Sequence, residues 1–321
     1  MVHVRVISDL HQCGQLWQRA FPSEIIADLW DVRMTFHQHY QRPLHFIVAE
    51  DSDTLCGFLP LCWIEESNTF GYFPGETWEG KTWLEQNRIF ARDRSVLEAL
   101  LEHCPAPYHI RYLLPVECLP AEEHIIDEIG YLFVPASYAY EIDGYFGQFS
   151  GKSAKRLRRE IGALEALGVE YRYDDLADYE HLVRMNLERF GEKSYYADPR
   201  FTESFRTLMH YLHRRGWLRM TTVVLQGQVA AVDMGCVYRG VYTLLAGGTH
   251  GAFPGVAKLI NLLHMKHACQ QRLQEADFLC GDFSWKKLFH LTPRPLYLLS
   301  NAPCMTHHEN QATAGSTAHV D

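Results

Sequence analysis

Short apolar runs broken by polar turns set the rhythm of the chain. LHFIVAE (44–50) and LCGFLPLCWI (55–64) are separated by DSDT, which predicts strand, turn, strand. The aromatic segment TFGYF follows, then a helical stretch RSVLEALLEHC (94–104) and a strand-like YHIRYLLP. The same grammar returns later with clearer signals. RMTTVVL (219–225) and VAAVDMGCV (229–237) flank the turn QGQ, and VYTLLAG (241–247) completes a three-strand meander. VAKLINLLHMKHACQQRL (256–273) then places Leu259, Leu262, Leu263 and Leu273 in a helical stripe with Lys266 and Gln270 outward. ADFLCG (276–281) reads as a closing strand. Antiparallel strands, a helix and one more strand, present twice, predict an α+β fold with a mixed, mainly antiparallel sheet in each half. The segment from Leu119 to Ile142 is expected to join the halves as a helix (about 120–129) and a strand (132–142).

Charge divides the chain where the pattern does. Net charge is -9, but residues 1–143 carry 9 Lys and Arg against 22 Asp and Glu, while residues 144–300 carry 21 against 15. The acidic average hides a basic second half, which bears on partners rather than on fold. The expected units are therefore 1–143, 144–300 and a disordered tail at 301–321 that lacks periodicity. No apolar run approaches a membrane span, and the first residues have no apolar core of a secretory signal. Nine cysteines without a C-x-x-C pair, mostly within apolar stretches, fit a reduced cytoplasmic setting and no zinc site. His37 with His39, His264 with His267, and His307 with His308 have no matching ligand pattern, so they read as structural or solvated, and no metal is expected.

The basic excess concentrates in SGKSAKRLRREIGALEALG (150–168). Its GKS is not a phosphate loop, because that motif requires Gly at 146, where the chain has Phe. Leu157, Ile161, Leu164 and Leu167 instead form the stripe of a helix, with Ser150 or Ser153 able to cap it and Gly168 suited to its end. Cations crowd the first two turns, against the helix dipole. The segment reads either as a solvated basic face or as an anion site. GGTHGAFPGVAKL (247–259) is the other such start. It is either a flexible turn or a place where the amides of Gly255, Val256 and Ala257 meet a phosphate. No G-x-S-x-G elbow is present, which argues against a hydrolase of that type.

Three stretches carry a resemblance: KSAKRLRREIGALEALGVEY, VAAVDMGCVYRGVYTLLAGGTHGAFPGVAKLI and DFLCGDFSWKKLF (277–289). Together they resemble the GNAT fold, and within it the tandem-GNAT group. Nearest are the cellulose-biosynthesis-type acetyltransferases, and more distantly the Fem-type peptidoglycan aminoacyltransferases. The likeness covers about 150 residues well, and where GNAT enzymes carry Gln or Arg before the pyrophosphate-loop glycine this chain has Ala252. It implies two tandem GNAT-like domains, the first degenerate, and an N-acyltransferase. The donor would be acyl-CoA, most simply acetyl-CoA, as co-substrate, and the acceptor an amine or hydroxyl of a small molecule, sugar or cell-envelope component. A Fem-type branch would use aminoacyl-tRNA, and a third possibility is a non-catalytic polyanion-binding protein with a GNAT core. DNA is not an expected partner.

On that resemblance the donor phosphates fall to Lys152, Lys155, Arg156 and Arg159 with the Gly255, Val256 and Ala257 turn. Asp282 and Lys286, four apart, become the polar pair nearest the chemistry, unless Asp282 only caps a turn and Lys286 is merely solvated. Tyr72, Glu76, Trp78 and Lys81 in one loop, and Tyr195 and Tyr196 in another, suit an acceptor, although clustered aromatics also serve as packing.

Overall fold

A computed structural model describes residues 2–75, 84–281 and 284–301. In chain order the elements are β1 (Val2–Ile7), α1 (Leu10–Ala20), α2 (Trp30–Tyr40), β2 (Leu44–Asp51), β3 (Thr54–Ile64), β4 (Thr69–Tyr72), β5 (Phe90–Ala91), α3 (Arg94–Glu102), β6 (His109–Leu113) and β7 (Ile125–Phe133). Then come α4 (Ile142–Phe146), α5 (Gly151–Glu165), β8 (Val169–Tyr173), α6 (Asp178–Phe190), α7 (Pro199–Arg215), β9 (Leu218–Leu225), β10 (Gln228–Tyr238), β11 (Val241–Thr249), α8 (Val256–Gln270), β12 (Glu275–Asp277), α9 (Ser284–Leu288) and β13 (Thr292–Ser300).

Two mixed helix-and-sheet layers result. The first sheet runs β1-β2-β3-β4 with β5 on β3, and the second runs β6-β13-β7-β12-β11-β10-β9-β8. The expected meander β9-β10-β11 is antiparallel throughout, and β11 then pairs in parallel with β12 through Val241–Thr243 and Glu275–Asp277. The first half repeats that plan in reduced form: β2-β3-β4 is an antiparallel meander, α3 follows, and Tyr108, just before β6, meets Phe70 of β4 in an isolated parallel bridge. The last strand crosses between the halves. β13 lies between β6 and β7, antiparallel to both, so the chain's final described strand completes a sheet begun near residue 109.

The linker differs from its expected form. Residues 125–133 are a strand, preceded only by a 3-10 turn at Ala121–Glu123, and no helix spans 120–129. Ile125, Ile126 and Ile129 are β-branched and extend readily, and β13 and β12 offer this segment backbone partners on both edges. The expected strand at 132–142 survives only as the end of β7, before a 3-10 turn at Pro135–Tyr138.

α5 forms as its stripe requires. Ser150 accepts the Ser153 amide at 3.2 Å, and Ala154, Leu157, Ile161 and Leu164 are buried. Fully burying each large aliphatic contributes about 1.5–3 kcal/mol. Leu167 is left exposed, because the helix stops at Glu165 and Gly168 turns the chain away at φ +81. α5 and α8 cover one face of the second sheet; α6 and α7 cover the other, where Val32 and Phe36 of α2 join Phe205 and Leu208 of α7. That shared apolar cluster is the main seam between the halves.

Candidate functional site

The glycine-rich turn after β11 is open. A Cβ on Gly251 would meet nothing within 4 Å, and one on Gly255 would meet only Leu164 Cδ1 at 3.9 Å. Phe253 is buried and anchors the turn, and His250 donates its amide to Ala230 O at 2.8 Å. Gly255 has φ +85, a conformation that favours glycine, and starts α8. Its amide and that of Ala257 have no acceptor among the described residues. The Val256 amide is not free as expected: the tight turn delivers it to Phe253 O at 3.2 Å. Just upstream, a Cβ on Gly247 would sit 2.4 Å from Asp233 Oδ1, so a larger residue there would displace that carboxylate.

The two expected parts of a phosphate site do not converge. Glu160 of α5 bonds Lys258 of α8 at 2.7 Å, and Leu164 lies against Gly255, so the C-terminal end of α5 faces the glycine turn. Lys152 at the other end is twelve residues from Leu164, about 18 Å along the axis at 1.5 Å per residue. Lys155 lies one turn nearer. Arg159 is the expected cation closest to the turn along the helix, while Arg156 spends its charge on Glu160 at 3.0 Å. All four are exposed.

At the end of β12 a second feature appears. Lys286 is 2% exposed, and its Nζ donates to the carbonyls of Phe278, Leu279 and Cys280 at 2.9, 2.9 and 2.7 Å. It is therefore neither solvated nor reaching outward: it ties down the loop leaving the parallel pair. The same loop is gripped from the first half, where Glu85 Oε2 accepts the Cys280 amide at 2.8 Å. Burial pushes the Glu85 carboxyl up to about 7, with Asp277 adding to the rise and Lys286 opposing it. Burial also lowers the Lys286 ammonium, against the pull of Glu85. The Cys280 thiol is pushed far up by burial and by Glu85, so it is no thiolate nucleophile. Asp277 is buried and accepts from Gln86 Nε2 at 2.5 Å, Arg294 Nη2 at 2.6 Å and the Leu279 amide at 2.9 Å. Asp282 lies outside the described residues, as do Glu76, Trp78 and Lys81.

The other expected acceptor groups are packing. Tyr72 is buried, with its hydroxyl on Arg88 O at 2.7 Å. Tyr196 is buried edge-on against Phe201, and Tyr195 stacks on Phe201 at 5.2 Å. Tyr72 and Tyr196 face inward because their rings fill gaps beside neighbouring elements. Sequence reading also missed a buried pair. His264 Nε2 lies 2.8 Å from Asp233 Oδ2 and 3.3 Å from the Tyr242 hydroxyl, so His264 does have a carboxylate partner. The partner is 31 residues away, on the strand beneath the helix, and local spacing cannot reveal it. Glu85 was missed for the same reason. Among the described residues no cluster of His, Cys, Asp and Glu could hold a metal, and no helix is long and apolar enough to cross a membrane.

An open glycine turn between a meander and a helix, followed by a parallel strand, agrees with comparison to known families. Residues 151–287 match the acetyltransferase (GNAT) domain. The fold is that of the tandem GNAT proteins. No curated protein matches the chain. Among solved structures, FemX aligns over 96% of this chain and 99% of its own, at TM-score 0.56 and 10% identity. The tandem GNAT protein from the clavulanic acid biosynthesis pathway aligns over 94% and 99%, at TM-score 0.52 and 13% identity. L-PGS from Bacillus licheniformis aligns over 89% and 96%, at TM-score 0.53 and 9% identity. At such identities the likeness is one of fold.

Proposed function

We propose that the chain is an N-acyltransferase that moves an acyl group from acyl-CoA to an amine, or a hydroxyl, of a small-molecule, sugar or cell-envelope acceptor. Residues 144–300 would hold the donor, and residues 1–143 would be a degenerate partner domain. The observation that carries this reading is the open turn at Gly251–Gly255, where unbonded amides at the start of α8 can take a donor's pyrophosphate. Of the exposed α5 cations named above, Arg159 is the nearest to it along the helix axis. The acceptor nitrogen attacks the thioester carbonyl; a C–N bond forms, the C–S bond breaks, and the departing thiolate takes up, by way of the general base, the proton that the nitrogen gives up. Glu85, titrating near neutrality, accepts the proton of the attacking amine. Lys286 holds the loop against which the acceptor is oriented, and Asp282 adjoins that loop in sequence.

Thermal unfolding with acetyl-CoA and longer acyl-CoA thioesters tests the donor. A rise in melting temperature that Arg159→Glu removes and Lys152→Glu barely changes is the expected result. No shift with any thioester overturns the reading. A second reading, aminoacyl-tRNA as donor, is favoured by the exposed cations of α5, which face outward along a surface helix. It predicts tRNA binding that falls steeply with salt.

A further inference from the structure

Away from the glycine turn, the seam between the halves opens into a cleft of about 160 Å³. Trp30 of the first half, with the buried Trp17 behind it, lies on one side, and Tyr211 and Trp217 of the second lie on the other, with Asp31 and Arg215 beside them. Its walls are held from behind. Trp17 Nε1 donates to Asp28 O at 2.6 Å, and Trp30 stacks on Phe73 with centroids 5.2 Å apart. Asp28 also lines the cleft, but its carboxylate is already taken by Arg88 Nε at 2.9 Å and by the amides of Glu24 and Ile25. Asp31 is held loosely: Oδ2 meets the Tyr211 hydroxyl and Arg215 Nη2, each at 3.3 Å, beyond the usual length of a good hydrogen bond. Asp31 and Arg215 are each about half exposed, at 53% and 52%.

The charges narrow what fits. The Arg215 guanidinium already lies 5.4 Å from the Tyr211 ring centre and 5.6 Å from that of Trp217, so a second cation would be repelled from those faces. An anion would meet Asp31 and Asp28. What remains is a neutral molecule with an apolar face for the rings and a rim of hydroxyls for one carboxylate and one guanidinium. A pyranose has that shape: C–H groups on one face, and vicinal hydroxyls that can donate to Asp31 and accept from Arg215. We propose that this inter-half cleft is a binding site for a neutral monosaccharide unit. The proposal does not rest on the acyl-transfer reading.

Saturation-transfer NMR on the full chain, with glucose, galactose, mannose and N-acetylglucosamine as probes, tests it. Tetramethylammonium and methyl phosphate, whose methyl protons report binding, are the charged controls. Saturable binding of at least one sugar is expected, weakened about tenfold or more by Asp31→Asn through the lost charged acceptor. Trp217→Ala is expected to weaken it as much. Asp31→Asn keeps the shape of the side chain, so it carries the test if Trp217→Ala fails to fold. The proposal is overturned by no saturable sugar binding at tens of millimolar, by sugar binding unchanged in Asp31→Asn, or by tetramethylammonium or methyl phosphate binding more tightly than every sugar.

Discussion

The two halves share a plan and differ in what they leave open. In each, an antiparallel meander is followed by a helix and a segment that meets the meander in parallel: Tyr108, just before β6, with Phe70 of β4, and β12 with β11. In the first half the described residues at the start of that junction are tightly packed. A Cβ on Gly71 would come within 2.3 Å of Ile64 Cδ1, and one on Gly75 within 2.4 Å of Cys62 Sγ. In the second, the corresponding turn is empty at Gly251 and nearly so at Gly255. The buried cations differ in parallel. Arg33, 2% exposed, donates to Ala27 O, Phe73 O and Asn87 Oδ1, neutral acceptors that make it a cross-brace. Lys286 shares its surroundings with Glu85, a carboxyl that titrates near neutrality. The lesson is that a repeated topology can keep its architecture in one copy and its vacancy in the other.

The comparison can be broken by substitution. Arg33→Met should cost most, about 3–5 kcal/mol, because it leaves three buried acceptors unsatisfied in the first core; denaturant unfolding reads it. Lys286→Met should cost less, about 2–3 kcal/mol, since two of its three carbonyls are only part-buried and water can replace the ammonium. It should nevertheless abolish acyl transfer, whereas a fully active Lys286→Met would separate the loop from the chemistry.

Glu85 sharpens the contrast through pH. Its folded pKa of about 7 lies above the ordinary 4.5, so the folded state binds more protons between those values. Its contribution to stability is therefore fully present at low pH and is lost as pH rises through about 7. Glu85→Gln should flatten that slope in unfolding measured from pH 4 to 8, and should also remove the rise in transfer rate near neutrality. An unchanged slope would place the titrating group elsewhere. Among the glycines, Gly75→Ala should destabilise by about 1–3 kcal/mol through overpacking and its positive φ. Gly251→Ala, with open space around it, should stay within about 0.5 kcal/mol of the parent while weakening the acyl-CoA thermal shift. Equal effects at the two glycines would erase the distinction between the halves.

Much of the fold was legible in periodicity. The meander at 218–249, the helix α8 and the capped basic helix each follow from local spacing, although α8 ends at Gln270, before Leu273, and leaves Leu263 half-buried. Residues 125–133 were not, because an amphipathic run with two carboxylates suits helix or strand until β13 and β12 supply partners. Tyr72 and Tyr196 were misplaced for a related reason: an aromatic in a polar loop looks the same whether its ring turns inward or outward. The candidate site was less legible still. Lys286 stood out by its motif, but Glu85 and Asp233 matter only through neighbours 195 and 31 positions away.

The basic helix shows where the division lies. Sequence alone determined that a capped amphipathic helix lies within residues 150–168, that its cations oppose its dipole, and that a second glycine-rich helix start follows. Those are properties of a segment and its nearest few residues. Only the tertiary structure decided that α5 lies with its far end at the glycine turn, so that Lys152 and Gly255 stand at opposite ends of the helix pair. Packing direction is set by which apolar stripes interlock across the core, and no local spacing encodes that.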